Sequence, residues 1–170
     1  MSHIIFTTER LIIRQYDFEK DAENFFLMNS DLEVMKYIRT PKPKEECLSF
    51  LKKIIDDYAK QPLIGRWAAD DKITGEFVGS FAIIPIEGTN DIQLGYALFK
   101  NFWGRGYASE MTKRGLVYYF SSTNADHIYA MAEKPNSASH HVLLKNGFII
   151  QGEIMENEKQ LMRFIYKKHV

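Results

Sequence analysis

The stretch NFWGRGYASEM, residues 101–111, joins an apolar run to a helical pattern through two glycines that flank an arginine. The preceding run DIQLGYALF predicts a strand, and the apolar residues that follow the glycines recur at helical spacing. A helix that begins directly after a strand has unpaired backbone N–H groups at its N-terminus, and these groups and the helix dipole attract an anion. Gly104 and Gly106 allow close approach to the backbone, and Arg105 adds a positive charge. This loop suits a pyrophosphate.

Three other interpretations of this loop compete with that one. The simplest is a strand–helix turn that needs glycine for its geometry and binds nothing. A P-loop is disfavoured, because Gly-x-x-x-x-Gly-Lys-Ser/Thr occurs nowhere in the chain. A dinucleotide fingerprint would place Ser109 where a third glycine belongs and would need an acidic residue about 20 positions on, at the end of the next strand. Asp126 precedes that strand and Glu133 lies too far along the chain, so this pattern is incomplete.

Length and composition point to one globular domain over residues 1–170. Lys and Arg total 22, as do Asp and Glu, so the net charge is zero and nucleic acid is not an expected partner. No apolar stretch approaches the roughly 20 residues that cross a bilayer, and no signal peptide is recognisable. The single Cys47 excludes an intrachain disulfide. We expect a soluble cytoplasmic protein with no membrane partner.

The rest of the chain predicts alternating helices and strands without repeats or linkers. Gly115 falls in the middle of a predicted helix, where glycine costs about 1 kcal/mol relative to alanine, so we expect close packing against a sheet there. The predicted strands are 9–16, a hairpin within 64–84, 91–99, 127–133, 148–155 and 160–167. The predicted helices are 18–28 with Asp17 as N-cap, a short one after Asp31, 44–59, one after Gly106, and one from Asn136 to Asn146-Gly147.

A second motif links these elements to a family. The segment EKPNSASHHVLLKNGF has the frame N-x-x-S-x-x-V-L-x-K-x-G-F from Asn136 to Phe148. With TERLIIRQYDFEKDA, DLEVMKYI, GEFVGSFAI and LGYALFKNFWGRGYASEM, the chain resembles the GCN5-related N-acetyltransferases (GNAT), and among them the RimJ/RimL branch, which acetylates protein N-termini. The resemblance covers nearly the whole chain. It implies a single α+β GNAT-type domain whose central mixed, mostly antiparallel sheet has splayed middle strands and is flanked by helices.

The resemblance also implies where the cosubstrate acetyl-CoA binds. Its pyrophosphate would lie on the loop, and its pantetheine arm would pair with the preceding strand, where an amide near Leu98 could polarise the thioester carbonyl. Trp103 departs from the Gln or Arg that many relatives have at the first loop position. Asn136 would hydrogen-bond the arm, although it could equally be only a helix N-cap. The implied cofactor-binding residues are Tyr96, Ala97, Leu98, Trp103, Gly104, Arg105, Gly106, Tyr107, Ala108, Asn136 and Ser139.

The resemblance indicates the catalytic residues less directly than the cofactor-binding residues. Many family members have a tyrosine four residues before the Gly-Phe pair, which here is Leu143, so the general acid is expected to be Ser139. Glu156 and Glu158 are candidates for a general base, with a solvated acidic loop as the alternative. An α-amino group with a pKa of about 8 needs little help to become neutral, whereas a lysine near 10.4 needs a base or a desolvating pocket.

The function implied is transfer of acetyl from acetyl-CoA to a primary amine, by direct attack in a ternary complex. A protein or peptide N-terminus is the favoured acceptor, and a small-molecule amine such as an antibiotic or a polyamine is the alternative. A non-catalytic acyl-CoA-binding sensor is the alternative from another class. The five histidines and Cys47 show no metal-ligand spacing, so no metal is expected. A monomer or a homodimer is expected.

Overall fold

Eight strands and five α-helices follow one another in the computed structural model, which describes residues 2–169. The strands are β1 Ile4–Thr7, β2 Leu11–Arg14, β3 Gly65–Asp71, β4 Phe77–Pro85, β5 Ile92–Leu98, β6 His127–Glu133, β7 Ile149–Glu156 and β8 Lys159–Lys167. The helices are α1 Phe18–Ser30, α2 Leu32–Met35, α3 Lys44–Asp57, α4 Tyr107–Ser122 and α5 Ser137–Lys145. A single 3₁₀ turn, Lys100–Phe102, lies between β5 and α4. No helix within residues 2–169 is long and apolar enough to span a membrane.

The strands form one sheet in the order β1-β2-β3-β4-β5-β6-β8-β7. Every neighbouring pair is antiparallel except β5 and β6, which are parallel and share only the register pair Gln93 and Tyr129. Beyond that pair the two strands separate toward the end of β5, which leaves a wedge-shaped opening in the middle of the sheet. The predicted α+β domain, with a mixed, mostly antiparallel sheet and splayed middle strands, is confirmed.

The register of β5 determines which of its amides face this opening. The N–H of Phe99 donates to the carbonyl of Val78 at the end of the β4–β5 ladder. Successive residues of an antiparallel strand point their backbone groups alternately at the partner strand and away from it. Counting back from Phe99, Ala97 points at β4, whereas Leu98 and Tyr96 point away from β4. The amides of Tyr96 and Leu98 therefore face the opening between β5 and β6.

Local sequence signals explain four of the helix ends. The Asp17 side chain accepts a hydrogen bond from the Lys20 amide and begins α1, and the Asp31 side chain does the same for α2. Helix α5 begins after Asn136, which is its N-cap, and ends before Gly147, whose φ of 91° is left-handed.

The N-terminal strand prediction was wrong in its bounds. Instead of one strand over 9–16, the chain forms β1 and β2, of four residues each. They pair through a turn that is closed by a hydrogen bond from the Thr8 N–H to the Leu11 carbonyl. The first strand was missed because it is the short edge of the sheet and its side chains are mostly not buried, so it carries little apolar pattern.

Gly115 packs against the sheet as expected. A Cβ at this position would lie 2.3 Å from Cζ of Phe81, whose ring is fully buried on β4. Trp67 on β3 lies nearly parallel to the Phe81 ring, at 6.3 Å between centroids, and is also buried. The aromatic core therefore fills the α4 face of the sheet.

A buried ion-pair network holds α1 to the other face of β2 and β3. The Arg14 guanidinium donates to the carboxylates of Asp21 and Asp70 at 2.7–3.0 Å, and Lys20 also contacts Asp70. Since all of the guanidinium hydrogen bonds end on acceptors inside the protein, Arg14 is fully compensated.

Candidate active site

An open cavity of about 1780 Å³ crosses the sheet at the opening between β5 and β6. One end reaches the loop before α4 and the N-terminal part of α5. The other end is walled by α1, the segment after α2, and strands β3 and β4. The cavity therefore has two sides, a loop side and an α1–α3 side, that meet at the splayed strands.

The loop side is formed by an uncapped helix N-terminus. Gly106 is the N-cap of α4 with a φ of 82°, and Gly104 has a φ of 70°, so both adopt the left-handed conformation that glycine tolerates. The first hydrogen bond within the helix joins the Glu110 amide to the Gly106 carbonyl. The amides of Tyr107, Ala108 and the next residue therefore lie at the cavity end of α4 without carbonyl partners in the helix.

Arg10 supports this loop, and sequence reasoning missed it. Its guanidinium donates to the Arg105 carbonyl at 2.9 Å and to the Glu110 carboxylate at 2.7 Å, and it lies 4.2 Å from the centre of the Tyr107 ring. The only sequence signal is the TERL segment within the resemblance, because the contacts join residues almost a hundred positions apart.

Glu110 is held in place by several donors. Burial raises the pKa of its carboxyl, but the hydrogen bonds from the Thr8 hydroxyl and from the Arg10 amide and guanidinium outweigh that effect and lower the pKa below the ordinary glutamate value. The favourable position of Glu110 in the first turn of α4 is thus supplemented by specific contacts. Its carboxylate joins the β1–β2 turn to α4.

Trp103 ties the loop to the strand before it. Its indole N–H donates to the Leu98 carbonyl at 2.9 Å, and the ring is 45% exposed at the cavity wall. The Leu98 carbonyl is therefore occupied, while the Leu98 amide faces the opening. The Arg105 side chain, by contrast, is not among the cavity-lining groups and lies 5.9 Å from the Phe102 ring.

Asn136 and Ser139 form a small polar cluster with Tyr96. The side-chain oxygen of Asn136 accepts a hydrogen bond from the Ser139 backbone amide at 3.3 Å. The side-chain NH₂ group of Asn136 donates to the Ser139 hydroxyl at 3.1 Å. Capping thus uses the acceptor of Asn136 and one of its two side-chain hydrogens, which leaves one hydrogen for another partner. The Ser139 hydroxyl keeps its own proton to donate.

Tyr96 extends this cluster into the cavity wall. Its hydroxyl is buried and has no hydrogen-bond partner of good geometry within residues 2–169. Burial raises the pKa of this phenol, and the nearby Ser139 hydroxyl lowers it by a smaller amount. The Tyr96 hydroxyl is therefore protonated at neutral pH.

The two candidate glutamates separate at the β7–β8 hairpin. Glu156 ends β7 opposite Lys159 and lines the cavity. Glu158 lies in the turn with a φ of 65°, is exposed, and is not among the cavity-lining residues. Of the pair, only Glu156 is in a position to meet a bound ligand.

Most of the predicted site residues line the cavity. The predicted residues that line the cavity are Tyr96, Ala97, Leu98, Trp103, Gly104, Gly106, Tyr107, Ala108, Asn136, Ser139 and Glu156. Arg105 contributes its carbonyl to the Arg10 contact instead. Over the described range 2–169, no group of three or more His, Cys, Asp or Glu side chains could hold a metal ion.

Comparisons with known proteins identify the family of the chain. The model of the acetyltransferase (GNAT) domain matches residues 10–149. An uncharacterized N-acetyltransferase of Bacillus licheniformis, p20, is 32% identical over 160 residues, which covers 93% of this chain and 89% of the relative.

Solved structures show the same fold at lower identity. A GNAT-family acetyltransferase from Bacillus anthracis superposes with a TM-score of 0.82 at 23% identity, covering 95% of this chain and 96% of the other. RimL, described as a ribosomal α-N-protein acetyltransferase, superposes with a TM-score of 0.80 at 17% identity, covering 99% and 96%. These structures show that the fold is shared, and the domain model and the Bacillus licheniformis relative extend the match to sequence: the chain belongs to the GNAT family of acetyltransferases.

Proposed function

We propose that this protein transfers an acetyl group from acetyl-CoA to a primary amine by direct attack within a ternary complex. The single observation that supports this most strongly is the uncapped N-terminus of α4 at one edge of the opening between β5 and β6. An anion site and an extended groove with free strand amides are the two features that a diphosphate joined to a long amide-containing arm requires.

The loop has the space that a diphosphate needs. A Cβ added at Gly104 would meet nothing within 4 Å, so the backbone is open on that side. At Gly106 the nearest atom is a guanidinium nitrogen of Arg10, at 3.4 Å, so a phosphate near Gly106 would also lie near a positive charge. The backbone amides of Gly104 to Ala108 would carry the binding, with the Arg10 cation in support.

The opening suits the arm of the cosubstrate. Acetyl-CoA, when bound, supplies a thioester that a neutral amine can attack. The Tyr96 and Leu98 amides would donate to the arm or to the thioester carbonyl, and the second side-chain hydrogen of Asn136 would donate to the arm. Ser139 would supply a proton to the departing sulfur, because its hydroxyl proton is not used by the Asn136 cap.

The acceptor is proposed to be an α-amine, at a protein or peptide N-terminus as in the RimJ/RimL branch. Such an amine has a pKa of about 8 and is neutral often enough to react without a strong base. Glu156 is the proposed base where one is needed, since it lines the cavity, and Glu158 would act only after a movement of the hairpin turn. A small-molecule amine is the alternative acceptor.

An amine panel with acetyl-CoA tests this function. Release of free thiol is followed with a colorimetric thiol reagent, and the acetylated product is identified by mass spectrometry. We expect saturable thiol release with at least one class of α-amine. Micromolar CoA binding without release from any amine would support the sensor instead, and absence of CoA binding would refute both interpretations.

A further inference from the structure

Two arginines stand on the α1–α3 side of the cavity. Arg39 follows α2 and Arg66 is the second residue of β3, and both line the cavity. Their guanidinium carbons lie 5.2 and 5.5 Å from the centre of the same ring, that of Phe50 on α3. The ring is thus a shared support for two positive charges brought together from distant parts of the chain.

Neither arginine has an acidic partner within residues 2–169. No carboxylate oxygen in that range lies within 4 Å of either guanidinium, whereas the buried Arg14 contacts two aspartates. Arg39 donates to the neutral side-chain oxygen of Asn29, and its buried Nε has no partner there. The Arg66 side chain donates no hydrogen bond to any described residue.

Within residues 2–169, no carboxylate is among the groups that shift the pKa of Arg39 or Arg66. The ionisable side chains that act favourably on Arg39 are the Cys47 thiol and the Tyr16 phenol, and burial raises the pKa of both, so both are neutral at pH 7. Burial also lowers the pKa of Arg39 and of Arg66, and Arg39 lowers that of Arg66 further. Arginine nonetheless stays charged in proteins.

This pairing is costly without an anion. A partly buried charge is tolerated when an opposite charge or hydrogen bonds compensate for the lost water, and these two guanidiniums have almost none. The fork of N–H donors on each matches a carboxylate or a phosphate. The missing partner is therefore expected to come from a ligand in the cavity.

The position of Arg66 indicates how far the arginine pair lies from the opening between β5 and β6. Arg66 pairs with Ala82 across β3 and β4, and Ala82 pairs with Gly95 on β5. Strands lie about 4.8 Å apart, so the Cα atoms of Arg66 and Gly95 are separated by roughly 10 Å. The anion at the arginines and the opening beside Tyr96 are thus within reach of one small acceptor.

We propose that the acceptor of this enzyme carries a carboxylate or a phosphate, which Arg39 and Arg66 bind while its amine points to the opening between β5 and β6. This rests on the proposed acetyl transfer and adds the chemical class of the acceptor. It disfavours polyamines, whose positive charges would be repelled by the pair. The anion comes either from a free small molecule or from an acidic side chain beside a peptide N-terminus.

Matched amines test the proposal. The pairs are O-phosphoethanolamine with ethanolamine, L-aspartate with its diamide, and a peptide beginning Ala-Asp with one beginning Ala-Asn, with spermidine as the cationic probe. We expect kcat/KM to be roughly 10- to 100-fold higher for the anionic member of at least one pair, which is the effect of a charged hydrogen bond. The pair that responds identifies the source of the anion.

Variants assign the effect to the arginines. Arg39→Gln and Arg66→Gln should each reduce the preference for the anionic member mainly through KM, and Arg66→Lys should keep part of it. The matched control is Arg114→Gln, an exposed arginine on α4 outside the cavity lining. CoA affinity should stay unchanged in all four variants, which separates an acceptor site from a phosphate site for CoA, and Arg114→Gln should also keep the wild-type preference for the anionic member.

The possible outcomes distinguish this proposal from the proposed acetyl transfer on which it rests. Turnover of neutral amines with no preference for anionic ones would overturn the proposal and leave the acetyl transfer intact. If no amine reacts, isothermal titration of the anionic amines into the CoA-saturated protein still decides, with Arg66→Gln as the reference. Equal binding by the wild type and Arg66→Gln, or no binding to either, would overturn the proposal. Loss of CoA binding in the wild type would overturn the function itself.

Discussion

The substitution Gly106→Glu places a carboxylate at the proposed diphosphate site. Any side chain at this position must adopt a φ of 82°, which costs about 1–2 kcal/mol of stability. The carboxylate then lies at the N-terminus of α4 and near Arg10, so the helix dipole and the guanidinium stabilise it there. The introduced carboxylate would repel the diphosphate of the cosubstrate. Two unit charges of the same sign 4 Å apart repel by about 4 kcal/mol at an effective dielectric constant of 20. We expect CoA affinity to fall by at least about 100-fold.

Gly106→Ala is the matched control, since it has the same backbone strain without the charge. The added Cβ would approach only the end of the flexible Arg10 side chain, at 3.4 Å. Calorimetric titration with CoA measures both variants. Urea unfolding checks that both remain folded, and the glutamate variant should lose less stability than the alanine variant, because its carboxylate is stabilised at the N-terminus of α4. If the glutamate and alanine variants bind CoA with equal affinity, the diphosphate does not lie at this helix and the placement of the site is wrong.

Three further substitutions test separate parts of the structure. Gly115→Ala gains about 1 kcal/mol of helix propensity but places Cβ 2.3 Å from the Phe81 ring, and overpacking costs about 1–3 kcal/mol, so urea unfolding should show a net loss of stability; a gain would contradict the packing argument. Ser139→Ala should lower kcat more than tenfold with little change in CoA affinity, and an unchanged kcat would exclude the general-acid role. Glu110→Gln should reduce stability at pH 7, because the carboxyl pKa is lower in the folded protein than in the unfolded chain, and the difference from the wild type should vanish as the pH falls through that lowered pKa. A pH-independent difference would mean that the charge of Glu110 does not matter.

Local signals allowed most of the fold to be predicted. Asp17 at the start of α1, Asn136 at the start of α5 and Gly147 after its end are capping residues whose effect depends only on their immediate neighbours. The steric role of Gly115 could be predicted because glycine in a helix is costly without a reason. β1 could not, because an edge strand with little burial has no strong apolar alternation.

The site divides in the same way. The glycines of the loop and the Asn136–Ser139 frame are contiguous in sequence and could be identified there. The contacts of Arg10 with the loop could not, because they depend on how the β1–β2 turn and α4 meet in space. The paired arginines on Phe50 were missed for a related reason. What distinguishes them is that no carboxylate of the described residues 2–169 lies within 4 Å, and a lack of contacts has no sequence pattern.

The two sides of the cavity would bind their ligands by different means, and this bears on how the acceptor can vary. On the loop side the proposed donors are backbone amides, fixed by the glycine conformations and by the Arg10 and Trp103 contacts, so side-chain changes there alter binding little. On the other side the proposed contacts come from the side chains of Arg39 and Arg66. The fold that this chain shares at 17–23% identity therefore does not specify the acceptor, whose proposed contacts depend on a few residues after α2 and on β3. It follows that acceptor chemistry is better inferred from the charges of that wall than from fold similarity.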